Sequence, residues 1–377
     1  MAQNSLWLKW TGFSESKRLV DMPKESSCLG VPRKNGQEVI VLADRIGLRD
    51  KELEVQTNAD SIFVPIVRQP SDQEIHVLKE KVPEVQKGTG IFHERKKQEK
   101  TLEGALAGSI PPHLLASLPK ALDIVGDIAI IEIPQELKNH KKLVGEAILR
   151  IHRNVKTVLA KAGAISGTYR TREFKVIAGE PRTHTTHREF GCQYRVDVAK
   201  AYFSPRLAHE HERVASLVGE GEIILDLFAG VGPFSVLIAK RHPTAKVYAV
   251  DINPEAFVLL KNNVLINRVQ DNVIPLLGDA RQIVHEGLSG VADRVIMNLP
   301  ESASEFIDVA CEAIKPEGGV GHFYGFVRLP DSAEAMQSRF AAKVGENRRK
   351  VERFLSVREV RDTAPFEQQV VLDAFIV

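Results

Sequence analysis

The sequence predicts an α/β fold whose main part, residues 201–377, is a doubly wound, mostly parallel sheet. The first observation is the alternation of strand-like and helix-like segments after residue 210, from IILDLF through KVYAVDI to ADRVIMNLP. Such alternation places helices on both faces of a parallel sheet. The second is the end of the chain, where VREVRD and QVVLDAFIV read as two strands after a helix over 333–350. Together they predict a Rossmann-like sheet with an antiparallel C-terminal edge hairpin.

A small α/β module is predicted at the N-terminus, over residues 1–69. Within it CLGVP, LEVQT and IFVPIV have the composition of strands, and GQEVIVLADRIG has the period of an amphipathic helix. Residues 1–27 show no clear period and are interpreted as an extension. Residues 70–100 are dense in charge and are predicted to be a flexible linker. Its HERKKQEK run is either a solvated helix face or a nucleic-acid contact.

A middle α+β domain is predicted over residues 101–200. IVGDIAIIEIP has the pattern of a strand ended by proline, and residues 135–162 have that of a long amphipathic helix. Alternating apolar residues in GTYRTREFKVIAG and in REFGCQYRVDVAKAYFSPRL indicate further strands. The region is rich in Arg, Lys and His, which suits contact with a polyanion.

Composition excludes several classes of protein. The 377 residues carry a net charge of +2, so a polyanionic ligand has to be held by local patches. No apolar run approaches the length of a membrane span, and the N-terminus has no secretory signal. Three widely spaced cysteines give neither a disulfide framework nor a zinc cluster, which favours a cytoplasmic protein. His184 and His187 lack a third ligand of matching spacing, so no metal is expected.

The sharpest local signal is ILDLFAGVGPF, a strand followed by a glycine-rich turn and a helix. Glycines there let a ligand approach the backbone at the carboxyl ends of parallel strands. Asp251 follows the second strand, where a carboxylate can bind ribose hydroxyls, and GDA and MNLP end two further units. The pattern predicts a nucleoside-cofactor site and resembles class I S-adenosylmethionine methyltransferases. The predicted cofactor residues are Asp226, Phe228, Gly230, Gly232, Asp251, Ile252, Asp279, Ala280 and Asn298.

YFSPRLAHEHERV before the glycine turn, MNLPESASEF after it and GTYRTREFKVIAGEP upstream give a more specific likeness. Over roughly residues 28–377 they resemble the archaeal and eukaryotic tRNA (guanine-37 N1)-methyltransferase family. The resemblance implies S-adenosylmethionine as methyl donor and N1 of guanine 37, beside the anticodon, as acceptor. Guanine N1 carries a proton at neutral pH, so the reaction needs a general base and a donor that stabilises charge on O6.

The same resemblance assigns roles to five catalytic residues and one cofactor contact. Glu210 is implied as the base, with the alternative of a surface glutamate that caps or pairs on a helix. Arg170 is implied as the cation for O6, with Arg172 as the alternative if the register differs and a structural salt bridge as the other reading. The remaining roles are Tyr202 holding the base, Asn298 and Pro300 forming the NLP loop at the guanine edge, and His211 contacting the methionine part of the cofactor.

The implied partner is tRNA, held at the anticodon stem-loop by residues 101–200 and at its outer corner by the N-terminal module, with the protein acting as a monomer. One alternative is a paralogous aminocarboxypropyl transferase of wybutosine synthesis, which lacks the NLP loop and the base. Added methylation of a wyosine precursor also stays open. Further alternatives are a noncatalytic RNA-binding protein and a methyltransferase for protein or small molecules.

Overall fold

The computed structural model describes residues 23–95, 100–163 and 167–377. The chain divides into two compact units, Met1–Glu99 and Lys100–Val377. In the described part of the chain, no helix is long and apolar enough to cross a membrane.

The N-terminal unit is an antiparallel sheet of order β2-β3-β1-β4 with two helices. Its apolar core is built from one face of each element, which includes Leu29, Val39, Val64 and Leu78. The strands predicted for CLGVP and IFVPIV and the first helix are present, whereas LEVQT forms a strand only at Gln56–Thr57. The elements are β1 (Lys24–Pro32), α1 (Gly36–Arg45), β2 (Gln56–Thr57), β3 (Ser61–Pro65), α2 (Asp72–Lys81) and β4 (Gln86–Phe92).

The predicted flexible linker over 70–100 is wrong for most of its length, since it contains α2 and β4. Ser71 and Glu74 form a reciprocal capping box at the start of α2, and β4 pairs with β1 along seven residues. The charged residues lie on exposed faces, while Leu78 and Phe92 are fully buried. In the sequence, the many charged residues obscured the weak amphipathic period of α2. Residues 96–99, within HERKKQEK, and residues 1–22 of the predicted extension lie outside the described residues.

The next part of the chain forms a four-stranded sheet of order β5-β6-β7-β8, in which only β6 and β7 are parallel. The helix predicted over 135–162 is wrong in its second half, because it ends at Ile151 and the buried β-branched run Thr157–Val158 opens a strand. The elements are α3 (Leu102–Leu106), α4 (Pro112–Leu115), β5 (Leu122–Val125), β6 (Ile128–Ile131), α5 (Lys141–Ile151), β7 (Thr157–Lys161), β8 (Phe174–Gly179), β9 (His184–Glu189) and β10 (Cys192–Asp197).

The C-terminal part confirms the predicted doubly wound sheet. Its seven strands have the order β13-β12-β11-β14-β15-β17-β16; the first five are parallel, and the last two form an antiparallel edge hairpin. The strand order reverses at β11, the point where such sheets bind ligands.

The helices and strands of the C-terminal part are α6 (Ala208–Ser216), β11 (Ile223–Asp226), α7 (Pro233–Arg241), β12 (Lys246–Asp251), α8 (Pro254–Ile266), β13 (Val273–Leu277), α9 (Ala280–Gly287), β14 (Arg294–Met297), α10 (Ile307–Ala313), β15 (Gly319–Arg328), α11 (Ala333–Glu346), β16 (Val351–Ala364) and β17 (Glu367–Ile376).

The β9–β10 hairpin is attached to the large sheet through α8. The Asn263 side chain accepts from the Arg195 amide at 2.7 Å and donates to the Arg195 carbonyl at 3.1 Å. Asn267 binds the backbone of Gln193 in the same way, at 2.9 and 2.6 Å. One continuous apolar core joins this hairpin, β5–β7 and the α7–α8 side of the sheet. The hairpin is thus a separate two-stranded sheet that packs against the α8 side of the large sheet, although it precedes the boundary predicted at residue 200.

Candidate active site

A cavity of 510 Å³ opens at the carboxyl ends of β11, β12 and β14 and extends to the 167–172 turn and the β16–β17 hairpin. Most of the predicted site residues line this cavity, although they come from six separate parts of the sequence. Glu210, Asp226 and Gly232 do not. The predicted residues that line it are Arg170, Tyr202, His211, Phe228, Gly230, Asp251, Ile252, Asp279, Ala280, Asn298 and Pro300.

The glycine turn after β11 depends on backbone angles that glycine alone adopts without strain. Gly230 has φ of 57°, and its amide donates to Asp251 Oδ2 at 2.6 Å. Gly232 has φ of 89°, and a Cβ there would lie 2.5 Å from a Leu260 methyl carbon. Gly232 therefore sets the packing of the turn on α8, while Gly230 forms the wall of the cavity.

Asp226 lies beneath the turn and is completely buried. Its Oδ2 accepts a hydrogen bond from Ser235 Oγ at 2.6 Å. Burial, reinforced by the charge of Asp251, raises the pKa of Asp226 to about 7, although the Ser235 hydrogen bond opposes this rise. The predicted cofactor contact of Asp226 has no geometric support, and its position instead ties β11 to α7.

Asp251 is the carboxylate that reaches the cavity from the second strand. Its Oδ1 accepts from the Asn253 amide at 2.8 Å, which orients the side chain. Burial raises its pKa, against the opposing hydrogen bonds from the backbone. Asp279 caps α9 by accepting from the Arg281 amide at 2.8 Å and stays exposed. The cavity thus has acidic groups at the ends of two neighbouring strands, an arrangement that suits a ribose and the polar edge of a base.

Arg170 brings a cation to the same cavity from the turn that precedes β8. Its guanidinium forms a bidentate ion pair with Glu301, in which Nη2 donates to Oε1 at 2.8 Å. This ion pair raises the pKa of Arg170. Arg172 also lines the cavity, and its Nε is buried with no hydrogen-bond partner among the described residues. Both arginines proposed for O6 are therefore at the site, and only Arg170 is neutralised by a carboxylate.

The C-terminal edge hairpin supplies an unpredicted cation, Arg361. It donates to the Tyr202 hydroxyl at 3.1 Å and to Ser204 Oγ at 2.8 Å. Its Nε donates to Gln369 Oε1 at 2.9 Å, and Gln369 Nε2 donates to Asn298 Oδ1 at 3.4 Å. Because arginine only donates, this chain of bonds fixes the Gln369 amide and directs its NH₂ group to Asn298. Tyr202 and Asn298 are thus held by one guanidinium.

Glu210 lies on α6, behind the wall of the cavity, with its side chain 4% exposed. Arg213 donates to its two oxygens at 2.9 and 2.7 Å, and the Tyr324 hydroxyl donates at 2.6 Å. Arg213 also pairs with Asp373 at 2.6 Å. His322 Nδ1 lies 2.6 Å from Asp373 and shares its carboxylate. Arg213 is therefore shared by two carboxylates, and three hydrogen bonds hold the Glu210 carboxylate in place.

Sequence reasoning missed the residues that hold the site from a distance: Glu301, Arg361, Gln369 and Asp373. No local motif marks them, since each has a partner at the site that lies 71 to 160 residues away. The one available signal was the position of Glu301 directly after Pro300 of the predicted NLP loop, which placed an acid at the predicted guanine edge. Among the described residues, no group of three His, Cys, Asp or Glu side chains could hold a metal ion.

Comparison with known proteins matches two family models to the chain, the "TRM5/TYW2 methyltransferase domain" over residues 185–352 and the "TYW2 N-terminal domain" over 102–183. The tRNA (guanine(37)-N(1))-methyltransferase Trm5b of Pyrococcus abyssi is 39% identical over 91% of this chain and 97% of its own length. The solved complex of aTrm5 with tRNALeu superposes with a TM-score of 0.69 at 30% identity, covering 93% of this chain and 99% of that one.

A structure of TYW2 from P. horikoshii in complex with MeSAdo has a TM-score of 0.61 at 29% identity. It covers 97% of its own chain but 73% of this one.

Proposed function

The chain belongs to the archaeal and eukaryotic tRNA (guanine-37 N1)-methyltransferase family, and we propose that it methylates N1 of guanine 37 in tRNA. The observation that carries this proposal is the cavity itself, which joins the ends of β11, β12 and β14 to Arg170, Tyr202 and Asn298. A nucleoside cofactor at the strand ends would face a purine held by these three side chains.

The residues present fit S-adenosylmethionine. Gly230 has the left-handed backbone that lets a ligand approach the turn, and Asp251 offers a carboxylate to ribose hydroxyls. Asp279 and Ala280 lie where an adenine edge would be bound, and Phe228 packs edge-on against Phe306 with ring centroids 4.9 Å apart. When bound, the cofactor supplies an already activated methyl group, so these residues mainly have to orient it.

The acceptor base requires a group that removes the N1 proton and a cation for O6. We assign removal of the N1 proton to Glu210 and stabilisation of negative charge on O6 to Arg170, and the Tyr202 ring would stack on the base. Glu210 is buried and held by Arg213 and Tyr324, which supports a role beyond capping α6. Since Glu210 lies behind the cavity wall, binding of guanine has to bring the carboxylate and N1 together.

The test of this proposal is the single-turnover rate on an unmodified tRNA transcript. Glu210→Gln should lower that rate by about 100-fold or more, the usual contribution of a general base. Glu212→Gln is the matched control, because Glu212 is on the same helix but pairs with Arg241 away from the cavity. Mass mapping should find the methyl group on guanine 37 and none on an adenine 37 transcript. A full rate for Glu210→Gln would remove Glu210 from the mechanism.

We propose that residues 101–200 hold the anticodon stem-loop and that the N-terminal unit binds the outer corner of the tRNA. The support is the relative whose solved complex contains tRNALeu and matches 93% of this chain. Deleting residues 1–99 should weaken binding of full-length tRNA far more than binding of an isolated stem-loop. Equal losses would contradict this division of roles.

The aminocarboxypropyl transferase is the second candidate function, because the TYW2 structure resembles a large part of the chain. That structure covers 73% of this chain, whereas the aTrm5 complex covers 93%. The Asn298–Pro300 loop and Glu210 also favour methylation. Labelling the cofactor in its methyl group or in its aminocarboxypropyl group separates the two reactions. Incubation with tRNA that carries a wyosine precursor tests the further methylation.

We also propose a cytoplasmic monomer. Cys28, Cys192 and Cys311 are buried free thiols, as suits a reducing compartment. Light scattering at micromolar concentration should give the mass of one chain, 41.9 kDa.

A further inference from the structure

A buried carboxylate of the β9–β10 hairpin contacts the site from outside the cavity. Glu189, at the end of β9, is 8% exposed, and its Oε1 lies 2.7 Å from Nδ1 of His211. His211 is 1% exposed and lines the cavity, and its ring packs edge-on against Phe234 in the first turn of α7 with centroids 4.6 Å apart. Because Nδ1 contacts Glu189, Nε2 is the ring nitrogen with which His211 can contact a ligand in the cavity.

The second neighbour of Glu189 is a neutral histidine. The Gly126 amide donates to His187 Nδ1 at 3.1 Å, so that nitrogen carries no hydrogen. His187 therefore has its hydrogen on Nε2, which lies 3.6 Å from Glu189 Oε2. A neutral ring does not compensate a buried negative charge. Within the described residues, His211 is the other group in ion-pair distance of Glu189.

The electrostatics of this pair favour an ionised Glu189. Burial by itself raises the pKa of Glu189, but hydrogen bonds from His187 and His211 outweigh it and bring the value to about 2, so the carboxylate stays ionised. A buried ionised carboxylate needs hydrogen-bond donors, and Nδ1–H of His211 is the donor 2.7 Å from its Oε1. This bond fixes the His211 ring, with Nε2 at the cavity next to the N-terminal end of α7.

We infer that Glu189 is a positioning residue that accepts a hydrogen bond from Nδ1–H of His211 and so directs Nε2 at the amino-acid part of the cofactor. This inference rests on the proposed function, since it concerns the same cofactor. It gives the cavity two ends of different chemistry. Asp251 faces the nucleoside hydroxyls, and Nε2 of His211, held by Glu189, faces the amino-acid part beside the glycine turn.

Two ligands that differ only in the amino-acid part test the inference by calorimetry with the full chain. S-adenosylhomocysteine carries the α-carboxylate, whereas 5′-methylthioadenosine lacks it. Glu189→Gln and His211→Ala should each weaken binding of S-adenosylhomocysteine by about tenfold or more, the usual effect of losing a hydrogen bond to a charged group. Binding of 5′-methylthioadenosine should change less than about twofold, because no contact to the nucleoside is removed.

The double variant Glu189→Gln/His211→Ala shows whether Glu189 acts through His211. It should bind S-adenosylhomocysteine no more weakly than His211→Ala alone, since the carboxylate has then lost the group that it positions. Glu212→Gln is again the matched control and should bind both ligands as the wild type does. If Glu189→Gln does not fold, Glu189→Asp, which keeps the charge but shortens the reach, should weaken S-adenosylhomocysteine alone.

Three results would overturn the inference: equal weakening of both ligands, additive losses in the double variant, or unchanged binding of S-adenosylhomocysteine by Glu189→Gln. Each of these leaves the proposed function intact as long as the wild type methylates guanine 37. A wild type that binds neither ligand would instead contradict the proposed function.

Discussion

Replacing Asp226 by asparagine should stabilise the protein at alkaline pH. The pKa of Asp226 is raised from 3.8 to about 7 in the folded chain because its carboxyl group is fully buried. Above pH 7 the folded protein therefore carries a buried charge that the unfolded chain carries in water. About three pKa units at 1.36 kcal/mol each give a penalty of about 4 kcal/mol as a ceiling. Asparagine fills the same space and can still accept from Ser235.

The direction in which the free energy of unfolding changes with pH follows from this raised pKa. Between pH 7 and pH 4 the folded protein binds a proton that the unfolded chain does not bind, so this part of the stability rises as the pH falls. Asp226→Asn should therefore exceed the wild type in free energy of unfolding at pH 8. That advantage should shrink by about 2 kcal/mol at pH 5.5, where the wild-type carboxyl is protonated when folded.

Urea unfolding at pH 8.0, 7.0 and 5.5 measures the effect. Asp271→Asn is the matched control, because Asp271 is exposed at the surface. The reasoning is refuted if Asp226→Asn is less stable than the wild type at pH 8, or if the two free energies differ by the same amount at all three pH values. Cofactor affinity should stay near the wild-type value, in contrast to Asp251→Asn, because Asp226 does not line the cavity.

Three further predictions concern the walls of the site. Glu301→Gln should lower the KM for tRNA by up to about fivefold, since it frees Arg170 from a half-exposed ion pair. The melting temperature should change little. A higher KM would contradict the view that Glu301 competes with tRNA for Arg170. Gln369→Leu should lower kcat by about tenfold, because it removes the hydrogen bond that orients Asn298. Gln368→Leu, at the exposed neighbouring position, is the control and should match the wild type. Equal kcat values for the two variants would disprove the role of Gln369 in orienting Asn298. Gly232→Ala should cost about 1–3 kcal/mol in urea unfolding, because its Cβ would lie 2.5 Å from a buried methyl carbon at a positive φ; an unchanged midpoint would show that the turn relaxes.

The sequence could predict those parts of the fold that repeat a local pattern. Strand–helix alternation indicated the parallel sheet, and the polar ends of its strands indicated where Asp251 and Asn298 would meet, because parallel strands end at one edge. The same reasoning failed at residues 70–95 and 152–161. In the first stretch charge outweighed a weak apolar period, and in the second a helical period continued into a β-branched strand.

Contacts made across the fold could not be predicted in this way. The pairing of Arg361 with Tyr202 depends on the length of the β16–β17 hairpin, and that of Glu189 with His211 depends on how a separate hairpin packs on α6. Neither distance in sequence nor residue type carries this information. The motif around Glu210 did locate a buried carboxylate, but it did not show that Arg213 and Tyr324 hold that carboxylate behind the wall.

The two asparagines of α8 that hydrogen-bond to the backbone of the β9–β10 hairpin determine where chimeric proteins can be joined. The two family models meet between residues 183 and 185, immediately before this hairpin. A chimera that joins the part before residue 184 from one relative to the methyltransferase domain of another should therefore be spliced at residue 184. Splicing at residue 200 would take the hairpin from one relative and the α8 asparagines that hold it from the other. It would also separate Glu189 from His211, which it contacts.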